Sequence, residues 1–332
     1  MSFLATTRRG LLKSIGSLAT FRPAPELGPD TFRLVPVLAD GQSVRYRLIQ
    51  SQHRQGMRTT EARSDATLTV VRHEGGGRCL RWLAGPCGVS HADPTMQALL
   101  RSLQSVWDGV PLDVHLDDGG HLGGLANLAT VRRQACESLD LAVRRMAGDA
   151  TSAPLVPHVQ AAVRSLVLDE SLLTQALLKE VRLLFGFADR AFRVGEPLEV
   201  RERVASPLGA GTVPVLGRFH LRSVDARTGE ASLNWLMVVD RGGLAAGVKA
   251  GLEPMTASLA ALVPPAPDVP DASPPVDAKA SVRDAVDTVD LDDRAEFRIN
   301  TRTGWPVSVH HVRRVGAGAE ARVDTLEMVR LE

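Results

Sequence analysis

The chain has 332 residues, of which 44% are hydrophobic and 23% charged, with a net charge of +1 and a mean hydropathy near zero. It is long enough to bury a large core, as one two-part domain or two intimate ones. Near neutrality leaves no basic field to draw it onto nucleic acid, and 4% aromatic residues supply no platform on which bases stack. No run reaches the roughly 18 apolar residues of a membrane-spanning helix; the longest, Leu233 to Leu252, is broken by Asn234, Asp240, Arg241 and Lys249. The basic residues are nearly all Arg, with Lys only at 13, 179, 249 and 279, which reads as the coding bias of a GC-rich genome.

Residues 1–29 are set apart. Thr7-Arg8-Arg9-Gly10-Leu11-Leu12-Lys13 follows the twin-arginine export pattern of Ser/Thr-Arg-Arg-x-apolar-Leu-Lys, and the modestly apolar Ser14 to Phe21 serves as its h-region. Arg8 and Arg9 are its candidate signal residues, and a periplasmic or secreted protein is the expectation. Against this, Arg22 follows at once and no small-x-small site precedes Pro23 and Pro25. The alternative is a mobile N-terminal tail on a cytoplasmic protein. No Cys lies near the N-terminus, so no anchor of the bacterial lipoprotein type is expected.

A first β/helix half covers 30–146. Val44, Tyr46 and Leu48 alternate with Arg45 and Arg47, the pattern of a strand with one wet face. Leu68 and Val70, then Leu80 and Trp82, continue it through a Gly75-Gly76-Gly77 turn. Asp93-Pro94 supplies an N-cap followed by proline at the first helical position, and Met96, Leu99, Leu100, Leu103, Val106 and Trp107 recur behind it at helical spacing. A strand from Pro111 to Leu116 leads into Asp117-Asp118-Gly119-Gly120, a turn suited to a tight hairpin. Asn127 opens the next helix, with Leu128, Val131, Ala135, Leu139, Ala142 and Met146 on one side.

A central helical pair covers 147–190, in which Val159 to Leu168 and Leu172 to Phe185 carry dense aliphatic faces and Gly186 offers a stop. The second half covers 191–332. Leu198 to Val204, Val213 to Val224 and Ala231 to Val239 read as strands, with a turn at Arg227-Thr228-Gly229. Gly243, Gly247 and Gly251 fall at four-residue spacing in a helix-like stretch whose Lys249, Glu253 and Pro254 favour close packing in a soluble protein over membrane dimerisation. Pro264 to Pro275 is a proline-rich, acidic loop. Glu296 to Ile299, Val307 to Val315 and Ala321 to Leu331 close the chain as a meander.

Strands, a helix and a hairpin from Ser43 to Leu125 thus recur in the same order from Leu198 to Leu331, with little residue identity. Repeated supersecondary order points to two related halves. The expected fold is α+β: predominantly antiparallel sheet in two pseudo-repeated halves, with helices packed on or between them.

The run Gly109-Val110-Pro111-Leu112 through Asp118-x-Gly120, followed by Asn127-Leu128-Ala129-Thr130-Val131, resembles a module of uncharacterised secreted or envelope-associated bacterial β-rich proteins. In these a strand, an Asp-x-x-Gly turn and a second strand lead into a helix opened by Asn. The closing Asn300-x-x-x-Gly304-Trp305-Pro306 hairpin is similar to their other half, which turns at Asp/Asn-x-x-Thr-Gly. The resemblance covers both β blocks and hardly touches the helices between them. It implies a β-rich fold and an extracytoplasmic role, and it carries no catalytic residue to transfer.

Chemistry is sparse. No Gly-x-Ser-x-Gly elbow, phosphate-binding Gly-x-x-x-x-Gly-Lys-Ser/Thr loop, His-Glu-x-x-His helix or dinucleotide fingerprint is present, and no cofactor is expected. Asp113, His115 and Asp117 alternate along one strand with His121 across the turn; two carboxylates and two imidazoles suit a divalent metal, whereas a solvated polar face is the ordinary product of alternation. His310 and His311 point to opposite faces of a strand. Asp290, Asp292 and Asp293 form an acidic run before a strand, lacking the Gly of a calcium loop, and solvation accounts for it. Cys79 and Cys87 flank Gly85-Pro86 and could bridge in an oxidising compartment, a pairing the spacing leaves open; the odd count of three leaves at least one thiol free. Cys136 lies on a helical stretch where a thiol serves as a small core residue.

Three classes of function follow. The first is a non-catalytic envelope or periplasmic protein that binds an apolar small molecule or envelope component in a β-lined cleft, with Tyr46, Leu48, Trp82, Leu233 and Trp235 facing inward. Those same side chains would otherwise form a filled core. The second is a structural or adaptor protein that binds a partner protein through surface loops, chiefly Pro264 to Pro275. The third is an enzyme, with a metal-dependent hydrolase at Asp113, His115, Asp117 and His121 as its form.

Overall fold

The computed structural model describes residues 30–72, 77–117, 121–148, 167–168, 170–188, 190–205, 212–239, 290–316 and 321–332. The export pattern with Arg8 and Arg9, Gly75 and Gly76, Asp118 to Gly120, residues 159–166 of the Val159 to Leu168 stretch, the Gly243, Gly247 and Gly251 series, and Pro264 to Pro275 lie outside the described residues.

The strands come in runs. A short β1 (Thr31–Arg33) is followed by β2 (Ser43–Arg54), β3 (Met57–Arg72), β4 (Arg78–Ala84) and β5 (Gly88–His91), then helix α1 (Pro94–Gln104), β6 (Leu112–Leu116), β7 (Leu122–Leu125) and α2 (Leu128–Ala147). Two short helices, α3 (Glu170–Leu177) and α4 (Lys179–Phe185), precede β8 (Ala191–Arg193), β9 (Pro197–Ala205), β10 (Thr212–Asp225), β11 (Glu230–Val239), β12 (Asp290–Asn300), β13 (Pro306–Gly316) and β14 (Arg322–Leu331). The fold is α+β and its sheet is antiparallel throughout. One 12-stranded sheet runs β7-β6-β4-β3-β2-β14-β13-β12-β11-β10-β9 with β5 beside β3, and β1 pairs with β8 apart from it.

The join between β2 and β14 closes the chain on itself. Leu48 lies opposite Met328 and Gln50 opposite Leu326, so the early and late strands share one sheet and one hydrophobic face. Pairings this distant in sequence form late and slowly, and they hold the two blocks together once made. Each block also brackets an insertion: β4 pairs with β6 across α1, and β11 pairs with β12 across 240–289.

Period-two alternation decides which face is covered. Val44, Tyr46 and Leu48 are buried while Arg45 and Arg47 are exposed, and Ala295, Phe297 and Ile299 repeat the pattern on β12. On the opposite face charges pair across strands, as in Arg47 with Asp65 at 3.1 Å and Arg218 with Glu199 at 2.7 Å. Exposed pairs of this kind contribute little stability, but they keep the outer face wet and the register marked.

Helix α1 begins as the sequence leads one to expect, with Asp93 Oδ1 accepting from the amides of Thr95 at 2.8 Å and Met96 at 3.3 Å. Asn127 behaves differently. Its side chain accepts from the Asp113 amide at 3.0 Å and donates to the Pro111 carbonyl at 2.8 Å, so it ties the start of α2 to strand β6 instead of capping the helix. Leu172 to Phe185 reads as a single helix in the sequence, yet it divides at Leu178 (φ −96°, ψ 7°). Leu178 is fully buried, so the break itself is part of the core. Gly186 ends α4 in a right-handed conformation, so the stop is not the left-handed cap its glycine suggests.

The Asn300 hairpin is built by side-chain turn chemistry. Asn300 Oδ1 accepts from the amides of Arg302 and Thr303 at 3.1 and 3.0 Å, and Gly304 has φ +66°. A Cβ on Gly304 would stand 2.1 Å from the Val35 carbonyl oxygen. Backbone approaches backbone here, because the segment before β2 crosses the hairpin: the Val37 amide donates to Thr303 O at 2.7 Å, and Trp305 Nε1 donates to Val37 O at 2.9 Å. Trp305 itself is fully buried, edge-on to Phe185 of α4 at 5.4 Å. Among the described residues no helix is long and apolar enough to cross a membrane.

Candidate functional site

Three lateral rows of residues cross the covered face, and their polarity changes from one to the next. The first joins Leu48, Met328, Val309, Phe297, Leu233 and Leu221 and is apolar. Two residues along each strand, the second joins Ala62, Gln50, Leu326, His311, Ala295 and Trp235. Two further along, the third joins Thr60, Gln52, Asp324, Arg313, Asp293 and Met237, and most of it is polar or charged. An amphipathic gradient therefore runs along the strand direction.

Helix α4 covers the apolar end. Val181, Leu184 and Phe185 join the same buried cluster as the first row, and Phe187 stands edge-on to Phe297 at 5.5 Å. Toward the polar end the cover is incomplete and two adjoining cavities open, with Gln50, Ala62 and Gln104 lining both. The inner one, ≈ 210 Å³, is walled by Leu48, Trp82, Trp107, Val110, Leu112 and Leu177, with Glu180 at its rim. The outer one, ≈ 310 Å³, is walled by Gln52, Thr60, Lys179, His311, Arg322 and Asp324 among others.

The five cleft candidates share the covered face but not one fate. Tyr46 and Leu233 are fully buried. Tyr46 donates its hydroxyl to Pro306 O at 2.9 Å, and burial pushes its phenol far above the ordinary range. Leu48 and Trp82 line the inner cavity. Trp235 is half-buried and stacks on His311 with ring centroids 6.4 Å apart.

The four metal candidates are divided between local pairs. Asp113 receives a two-pronged pair from Arg81 at 2.7 and 2.9 Å. His115 Nδ1 lies 4.0 Å from Cys79 Sγ, and His121 pairs with Asp117 at 2.8 Å. Among the described residues no group of three or more His, Cys, Asp or Glu is gathered that could hold a metal ion. Cys79, Cys87 and Cys136 are free thiols; burial pushes the first two up and away from the reactive thiolate. Cys136 is exposed, turned outward beside the buried Ala135, so it fills no core position.

Two polar features at the cavities escaped the reading of the sequence. Asp293, taken there as part of a solvated run, lies within β12 and is buried, where it pairs with the buried His311 and has Arg313 3.9 Å away. The signal was available: counting back by twos from Ile299 through Phe297 and Ala295 puts Asp293 on the inward face. Among the described residues His311 hydrogen-bonds to Asp293.

Glu180 is the second. It falls on the stripe of α4 that carries Val181 and Leu184, and Gln50 Nε2 donates to its Oε1 at 3.0 Å. Burial pushes its carboxyl up from the free value of 4.5, opposed by Lys179, Gln50 and His311. A carboxyl whose pKa is raised on folding favours the native state below the free value and progressively less as pH climbs through the raised one. Glu180→Gln is therefore expected to be more stable than the parent near neutral pH and to lose that advantage in acid. Urea unfolding of both proteins at about pH 4 and about pH 7 reads the difference; an equal gap at the two pH values would show that the carboxyl is solvated.

No family model matches the chain, and no curated protein matches it. Among solved structures it is similar to one titled "lipid-protein interactions in lipovitellin", at 9% sequence identity and a TM-score of 0.39; the match covers 89% of this chain and 26% of that one.

Proposed function

We propose that the protein is a non-catalytic binding protein that holds an apolar small molecule, or the apolar part of an envelope component, between the covered face of its sheet and helices α1, α3 and α4. The observation that carries the reading is the inner cavity: an apolar enclosure with a few converging polar groups, Gln50, Ser64, Gln104 and Glu180, which is the usual make-up of a small-molecule site. Leu48 and Trp82 are its members from the cleft set, with Tyr46 and Leu233 supporting it from the closed core. The two pseudo-repeated halves belong to the same proposal, one block building the cavity side and the other extending the face through Leu233 and Trp235. So does an extracytoplasmic location, which rests on Thr7 to Lys13.

One experiment addresses both parts. The protein is recovered from the fractionated cells of its own host and examined by native mass spectrometry. The expected result is export with loss of the leader and a retained small molecule. Ala62→Phe, placed where the two cavities adjoin, should lower retention while the circular dichroism stays native. Full-length protein in the cytoplasm would overturn the location. An empty protein that Ala62→Phe stabilises would show the cavities to be packing defects, since filling an unneeded void strengthens a core.

A further inference from the structure

The outer cavity is lined by the charged residues Lys179, Arg322 and Asp324. Its carboxylate Asp324 is already engaged, by Arg322 at 2.9 Å and by Gln52 at 3.1 Å, and Asp293 behind it is held by His311. Lys179 also lines this cavity and is exposed, its charge acting on the neighbouring Glu180 carboxyl. It is the one lysine among the described residues. An ammonium on a flexible stem suits a mobile head better than a fixed guanidinium fork does. The apolar wall of Leu48, Trp82, Trp107 and Leu177 begins across the shared residues Gln50 and Gln104, so a chain entering there leaves its other end beside Lys179.

We propose that the occupant is a single-chain amphiphile with an anionic head, its chain in the inner cavity and its head held in the outer one by Lys179, with the Gln50 and Gln104 amides between them. The inference rests on the binding reading above and adds the chemistry of the head. The outer volume of ≈ 310 Å³ sits at the low end of small-molecule pockets, which span about 300–1,000 Å³, and the inner one of ≈ 210 Å³ lies below that range, so they suit one chain instead of two. Burial that disfavours the charged form of Glu180 lessens the repulsion an anionic head would meet at the junction. A neutral or cationic head gains nothing from Lys179, and a cationic one is repelled by it.

The test uses the full chain and four probes of equal chain length: decanoate, decyl phosphate, decanol and decylammonium, titrated against the fluorescence of Trp82 and Trp107 at the inner wall. Decanoate and decyl phosphate should bind at least about tenfold more tightly than decanol, the scale of one charge-assisted contact, and decylammonium more weakly still. Lys179→Met should bring the two anions to the level of decanol, and Lys179→Arg should restore part of the difference; the side chain is exposed, so neither variant threatens the fold. Preference for the carboxylate over the phosphate, or the reverse, identifies the head within the anionic class. Equal binding of all four probes would overturn the head assignment and leave the apolar cleft standing, as would an anion preference that Lys179→Met leaves intact. Failure of every probe to bind would overturn the binding reading itself.

Discussion

Trp305→Ala is expected to lower the unfolding free energy by about 3–5 kcal/mol, the range for truncating a large aromatic side chain in a packed core. Trp305 is fully buried and joins three parts of the chain: it sits on the β12–β13 hairpin, meets Phe185 of α4 and donates to Val37 in the segment that crosses the hairpin. Its removal opens a void that the backbone cannot close, because Gly304 next to it is already in contact with Val35. Trp305→Phe keeps much of the ring and loses the N–H donor, so it should cost less, with about 0.5–1.5 kcal/mol of its effect assigned to the missing hydrogen bond. Urea midpoints with unchanged m-values would report both numbers. A loss below about 1 kcal/mol for the Ala variant would mean that this corner is loose and that α4 is held by other contacts.

Asp293→Ala is expected to cost a similar amount, about 3–5 kcal/mol, by a different route. Removing the carboxylate leaves the Arg313 guanidinium without its counter-charge and the buried His311 imidazole without its hydrogen-bond partner. Replacing Asp293 and His311 together by Leu should recover the part of the loss that comes from the unpartnered imidazole, while Arg313 stays uncompensated. The double-mutant cycle separates the two contributions. If the losses of the two single variants simply add in the double variant, the pair is not coupled. Should the double variant also alter probe binding in the outer cavity, the pair shapes the site as well as the core.

Much of the architecture could be read from residue spacing. Alternation at Val44, Tyr46 and Leu48, the Asp93-Pro94 start of α1 and the turn chemistry of Asn300 are local, and local signals survive folding because they concern the backbone within a few residues. Inward orientation was equally legible where alternation ran on: Tyr46, Leu48, Trp82, Leu233 and Trp235 all lie on the covered face. What spacing could not say is which of them would be closed over. Leu48 and Trp82 border a cavity that Gln104 of α1 and Glu180 of α4 also line, while Tyr46 and Leu233 are fully buried, a difference that no local pattern specifies.

The sequence by itself determined the element types, the antiparallel character of the sheet and the inward face of most strands, since these follow from periodicity, caps and turns. Tertiary structure alone decided that β2 and β14 would pair and make one sheet of both blocks, because a pairing across some 270 positions has no local signature. It also decided the site. Glu180 sits in an aliphatic helical stretch and Asp293 in an acidic run; the docking of α4 brings Glu180 beside Gln50 of β2, and the pairing of β12 with β13 brings Asp293 beside His311. Burying these charges is unfavourable unless partners meet them, and those partners come from distant strands.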